Sequence, residues 1–242
     1  MGQFFNSPQN SFDATLVPPS RNDALEQSRF VTAVFGWMTV GLAITGFVAL
    51  LVAQSPALVM DMSGGAGIVI MVLQLALVFG LAWAINRISA GVATFLFLIY
   101  SASVGLTLSV IFILYTRAAI ESTFFITAAT FGAMAFYGYV TKRDLTSIGH
   151  IAFMALFGLL IALIVSGLLR DSGLNLWINI GGVLVFMALT AYDTQKIKYM
   201  YLAGAEGSQE NHKAAIIGAL NLYLDFINLF MFLLQLFASQ RD

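Results

Sequence analysis

Two aspartates stand out, one inside a long apolar run and one at the end of another. Asp193 lies in Ala191-Tyr192-Asp193-Thr194-Gln195-Lys196, and Asp225 in Leu220-Asn221-Leu222-Tyr223-Leu224-Asp225-Phe226-Ile227-Asn228. A carboxylate at membrane depth costs at least about 2.5–3.5 kcal/mol, so an acid there reads as functional by default. Asp225 has no Lys or Arg within helical reach, and Tyr and amide side chains flank both acids. Asn221, Asp225, Asn228 and Gln235 recur at i, i+4, i+7 and i+14, which is one helical face. Asn175, Asn179, Gly182 and Asp193 form a second such face, and Thr123, Thr127, Thr130 and Tyr137 a third. For the Thr stripe alone, packing is the better reading. Two carboxyls brought together in a low-dielectric site cannot both ionise cheaply, so they share a proton and titrate as a unit.

The elements that must position these groups are membrane spans. The 242 residues are 60% hydrophobic and 10% charged, with mean hydropathy +0.89. A soluble domain carries roughly 25% charged residues. Seven runs reach the roughly 17–25 apolar residues that a spanning helix needs. They are Phe30–Ala53, Ile68–Ile85, Val92–Leu114, Ser122–Val140, Ile148–Leu169, Leu174–Tyr192 and Ala214–Ala238. None alternates apolar and polar residues as barrel strands do. The breaks between them hold nearly all the charges and turn-formers. Gly36, Gly41, Gly46, Gly132, Gly181 and Gly182 read as sites of close helix approach.

Residues 1–28 carry three of the four prolines and read as a flexible tail, leaving 29–242 as the membrane domain. No apolar stretch follows basic residues there, as a signal peptide would require. With the tail inside, the cytoplasmic segments carry Arg21, Arg29, Arg87, Lys142, Arg143, Lys196, Lys198 and Lys213. The other side carries Arg117, Arg170 and Arg241. This bias predicts a cytoplasmic N-terminus and an outside C-terminus.

Several function classes are excluded. There is no cysteine for thiolate chemistry or disulfides, and His150 and His212 make no ligand pair. A net charge of −1 offers nothing to nucleic acid. Tyr192-Asp193 matches the first motif of intramembrane aspartic proteases. The second, Gly-x-Gly-Asp, fails because Leu222 and Leu224 stand where glycines are needed. No lysine lies mid-way along the last span to hold retinal. The chain reads as a non-enzyme with no cofactor.

The runs around the two aspartates resemble the Bax inhibitor-1 (transmembrane Bax-inhibitor-motif) family in its bacterial inner-membrane branch. Gly36-Trp37-Met38-Thr39, Tyr139 with Lys142-Arg143-Asp144-Leu145, and Gly218-Ala219 support the match, which covers about 29–239. The resemblance implies an all-α polytopic fold of seven transmembrane helices, six surrounding the last. It also implies a pH-sensitive calcium leak in which Asp193 and Asp225 form the proton sensor and gate and bind calcium transiently. Deprotonation would part the helices or recruit a cation. Calcium wants hard oxygen ligands and tolerates irregular geometry. Asn221, Asn228, Tyr192 and Asn179 would supply the supporting polar face. Relatives carry an acid where Gln74 stands, and a latch arginine whose nearest counterpart here is Arg87. The runner-up reading is a regulatory membrane protein that binds a membrane-anchored ATP-dependent protease without moving ions.

Overall fold

In hydrocarbon a chain must satisfy its backbone polar groups internally, and long uninterrupted apolar runs do so as helices. The computed structural model describes residues 21–169, 172–201 and 208–238, and every element in them is helical. In order these are α1 (Arg21–Ala53), α2 (Pro56–Ser63), α3 (Gly65–Ala84), α4 (Ala90–Leu108), α5 (Ile111–Leu114), α6 (Arg117–Val140), α7 (Thr146–Leu169), α8 (Ser172–Met200) and α9 (Gln209–Ala238). Six spans are single elements or nearly so: α1, α4 continued by α5, α6, α7, α8 and α9. The seventh is the pair α2–α3, bent by 65°.

Two expected boundaries move. The sequence predicts the second span as one run from Ile68 to Ile85, but helix resumes already at Pro56 after the turn at Gln54-Ser55. Its bend falls at Gly64, and Gly67 beyond it approaches the Met62 carbonyl so closely that no Cβ fits. The sequence predicts a flexible segment over 1–28, yet α1 begins at Arg21. Good helix formers (Ala24, Leu25, Glu26, Gln27) extend the span by two turns. An Arg29–Glu26 ion pair and a bond from Gln27 Nε2 to the Lys198 carbonyl (2.8 Å) hold it. Residues 1–20 lie outside those described.

The last helix is the centre. Ile216, Ala219, Leu222, Tyr223, Leu229 and Leu234 are all fully buried, whereas α7 turns most of its side chains outward. α9 packs directly on α1, α4, α6 and α8; α3 rests on α4 and α7 on α8 as an outer row. Thus six spans surround the last, four of them at first hand.

Close approach depends on glycine at fewer of the expected places, and at other places too. Gly41 meets Phe97 and Ser101, and Gly182 meets the Phe232 ring. Gly36, Gly46 and Gly132 face open space. Gly105 against Thr45, Gly138 against Ala191 and Gly149 against Tyr192 carry the contacts instead. Hydropathy cannot separate a glycine facing a neighbour from one facing lipid.

Candidate functional site

The site is set by the seam between α8 and α9, which run antiparallel. Gly182 lies opposite Phe232 and Ile197 opposite Gly218. Counting inward from either contact brings Asp193 level with Asn221 and Leu222, and Asp225 level with Leu189 and Thr190. The two acids are therefore offset by about one helical turn, roughly 5 Å along the seam. They lie within Coulombic reach of each other.

Asp225 is 4% exposed, and its Oδ2 is fully enclosed without a hydrogen-bond partner. Among the described residues it is the one buried side-chain oxygen or nitrogen left in that state. The reason is local. Thr190 Oγ1 donates to the Phe186 carbonyl and Thr194 Oγ1 to that of Thr190, both at 2.7 Å. Asn228 Nδ2 donates to the Leu224 carbonyl at 2.8 Å. These three donors are thus engaged by their own helices. A bare carboxylate there would lack the donors a buried charge requires. A hydroxyl proton or a cation would complete it.

Asp193 is half-buried nearer the basic end of the bundle, and Lys196 acts on it electrostatically from the next turn. Sequence reasoning passed over Lys196, although its i+3 spacing from Asp193 was visible.

Helix α8 is held firmly on the side away from α9. Gln195 Nε2 donates to the Arg143 carbonyl (2.8 Å), and its Oε1 accepts from the Leu145 N–H (2.9 Å). Lys198 Nζ donates to the Tyr139 carbonyl at 3.2 Å. The end of α6 and the turn after it are thereby clamped to α8 within about one and a half turns beyond Asp193, toward Met200.

The other expected site residues divide. Asn221 and Asn228 are half-buried on α9, flanking Asp225 by about one turn each. Asn179 is buried, but about four turns from Asp193 and near the level of Gln235. Tyr192 turns away, its ring packed over Gly149 of α7 with Lys196 Nζ 5.9 Å from its centroid. Arg87 is not brought to Asp193. Its guanidinium lies 4.5 Å over the Trp83 ring, and Arg29–Glu26 is the sole ion pair among the described residues. Gln74 is buried and donates to Thr107 Oγ1 at 3.3 Å. In the Thr stripe, Thr123 and Thr127 are buried while Tyr137 is exposed. Fourteen residues at 3.6 per turn accumulate about 40° of drift, enough to carry it outward.

A polar knot on the far side of α9 from the acids was also missed. The Tyr223 hydroxyl lies 2.7 Å from Thr45 Oγ1, which is 2.8 Å from the Ser101 carbonyl. The rings of Phe97 and Tyr100 stand edge-on to Tyr223. This joins α1, α4 and α9 two residues from Asp225.

An all-helical bundle around one buried helix, with an acid on that helix facing a second acid across a single seam, defines a class of polytopic membrane protein. The family profile described as "Inhibitor of apoptosis-promoting Bax1" matches residues 27–242. Inner membrane protein YbhL of Escherichia coli K12 is 47% identical over 229 residues, covering 91% of this chain and 98% of its own. A protein of Deinococcus radiodurans is 42% identical (93% and 97% covered), and one of Borreliella burgdorferi 41% identical (92% and 97%). The chain belongs to the Bax inhibitor-1 family.

Proposed function

We propose that this protein is a calcium-leak channel of the inner membrane, opened and closed by protonation of the Asp193–Asp225 pair. The observation that carries the reading is the enclosed, partnerless Oδ2 of Asp225 within electrostatic reach of Asp193. With one proton held between them, the acids bridge α8 and α9 and the seam stays shut. When it leaves, two like charges about one turn apart repel in a medium that screens them poorly. The seam then relaxes or admits a cation. Calcium suits these groups, since two carboxylates with the Asn221 and Asn228 amide oxygens and water give an incomplete oxygen shell. Such a shell holds calcium weakly enough to release it, as conduction requires.

The test is calcium flux into liposomes holding only this protein, across a pH series. Flux that rises and falls with pH supports the channel. None at any pH would favour the regulatory reading, in which a membrane-anchored protease is the partner. The same reading places the N-terminus in the cytoplasm and the C-terminus outside, on the basic-residue bias. Reporters fused at each end check this; a cytoplasmic C-terminus would overturn it.

A further inference from the structure

A cleft of about 850 Å³ opens on the opposite face of α9 from Asp225. Its walls are α1 and α6, which stand apart, and its floor is Phe226, Ile227 and Phe230 of α9. Leu108, Ile111 and Phe112 close it between those helices. Along α1 it runs from Leu42 to Gln54, about 18 Å at 1.5 Å per residue. The cleft is apolar along its depth. Its charged groups, Arg117 and Glu121, gather with Gln54 at the end of the bundle far from the acid pair.

Those two charges are one turn apart on one face of α6, yet do not pair: the sole ion pair among the described residues is Arg29–Glu26. They leave a guanidinium and a carboxylate side by side at the membrane surface, above an apolar slot the length of an acyl chain. In the first turn of α6, Thr116 Oγ1 caps the Ala119 N–H at 3.2 Å and leaves the N–H groups of Arg117 and Ala118 open, and such a turn favours phosphate.

We propose that this cleft binds a single zwitterionic phospholipid, one acyl chain lying between α1 and α6. Its phosphate meets Arg117 and its headgroup ammonium meets Glu121. The two adjacent, unpaired charges select the headgroup. A phosphate with no ammonium would leave Glu121 facing an anion, and a free fatty acid would do the same. Gly46 lies in the α1 wall with open space where its Cβ would be, so the slot passes over bare backbone there.

The probe is phosphatidylethanolamine carrying a photoreactive diazirine near the end of one acyl chain, mixed at trace level into vesicles holding the full chain. After irradiation, mass spectrometry of the digest locates the cross-links. They are expected in 42–53 of α1 and 226–230 of α9. Excess unlabelled phosphatidylethanolamine should remove them, and phosphatidylglycerol should not. Joint Arg117→Gln and Glu121→Gln replacement should weaken cleft labelling roughly tenfold, which is about 1.4 kcal/mol. Gly46→Leu should block it while leaving the thermal transition in detergent in place. If Gly46→Leu fails to fold, the surface charge pair still carries the test. Labelling as strong at the lipid-facing Phe153 and Phe157 of α7 as in the cleft would reduce the occupant to bulk lipid and overturn the proposal. So would equal competition by phosphatidylglycerol, or unchanged labelling in the charge variant. Calcium flux is not a readout here, so failure of the leak reading would leave this result intact.

Discussion

The Cα of Gly138 on α6 stands so close to the carbonyl of Ala191 on α8 that a Cβ at position 138 would overlap it. Two residues beyond Ala191 is Asp193, so this contact fixes how α8 presents its acid to the seam. The obstructing atom is backbone and cannot swing aside as a side-chain tip would. Gly138→Ala should therefore force the helices apart, costing about 1–3 kcal/mol as overpacked cores do. Thermal unfolding in detergent measures it, with Gly132→Ala as the control, because nothing lies near that position. Equal stability of the two variants would mean that α6 and α8 are not in close register at this level.

The Gln195 clamp carries a separate expectation. Gln195→Ala would leave the buried Leu145 N–H and the Arg143 carbonyl without their partners. An unpaired buried backbone group costs about 1–3 kcal/mol. Destabilisation in that range is expected, together with faster amide exchange at Leu145. Unchanged exchange there would show that the turn holds itself without α8.

Asp144 supplies a check on where pH acts. Its carboxyl lies outside the spans and accepts from the Thr146 N–H at 2.9 Å. Hydrogen bonds from the Thr146 side chain and backbone hold it below the usual carboxylate range. A lowered value means its contribution is complete above the ordinary range and fades only as pH falls through the lowered one. It is therefore constant across neutral pH. Asp144→Asn should leave the pH profile of flux where it was. A displaced midpoint would move the sensor to the turn between α6 and α7.

The spans were legible because hydrophobic runs of the right length have one stable outcome in lipid, Asp225 because it alone of the carboxyls interrupts such a run, and Asp193 because it ends the sixth run on the face of Asn175 and Asn179. The break at Ser63-Gly64-Gly65 was legible in its turn-formers, but the helix Pro56–Ser63 before it was not, since eight residues fall short of a span. Nor was the direction Tyr192 faces, because lipid, a neighbouring helix and the seam are all apolar in hydropathy and only Gly149 decides between them. Arg87 illustrates the same limit. Its place at a helix end was clear, but its partner was the local Trp83 ring and not a residue on another helix. The Tyr223–Thr45–Ser101 knot joins three helices, and one helix's periodicity cannot reveal it.

The acid pair bears the strongest expectation. Asp193→Asn and Asp225→Asn should each abolish the pH dependence of calcium flux, because an amide cannot take part in the shared titration. The fold should survive, since Asn is nearly isosteric and removes a buried charge without stranding an opposite one. The two effects should be strongly non-additive, as for groups acting as a unit. Asp225→Asn should weaken calcium binding more, because Asp225 is deeper and has Asn221 and Asn228 about one turn to either side. At Asp193, half-buried beside Lys196, the change should fall on gating. Isothermal calcium titration separates the two outcomes from flux. Wild-type pH-dependent flux in both single variants would sink the paired-acid mechanism and leave the aspartates as structural residues of the seam.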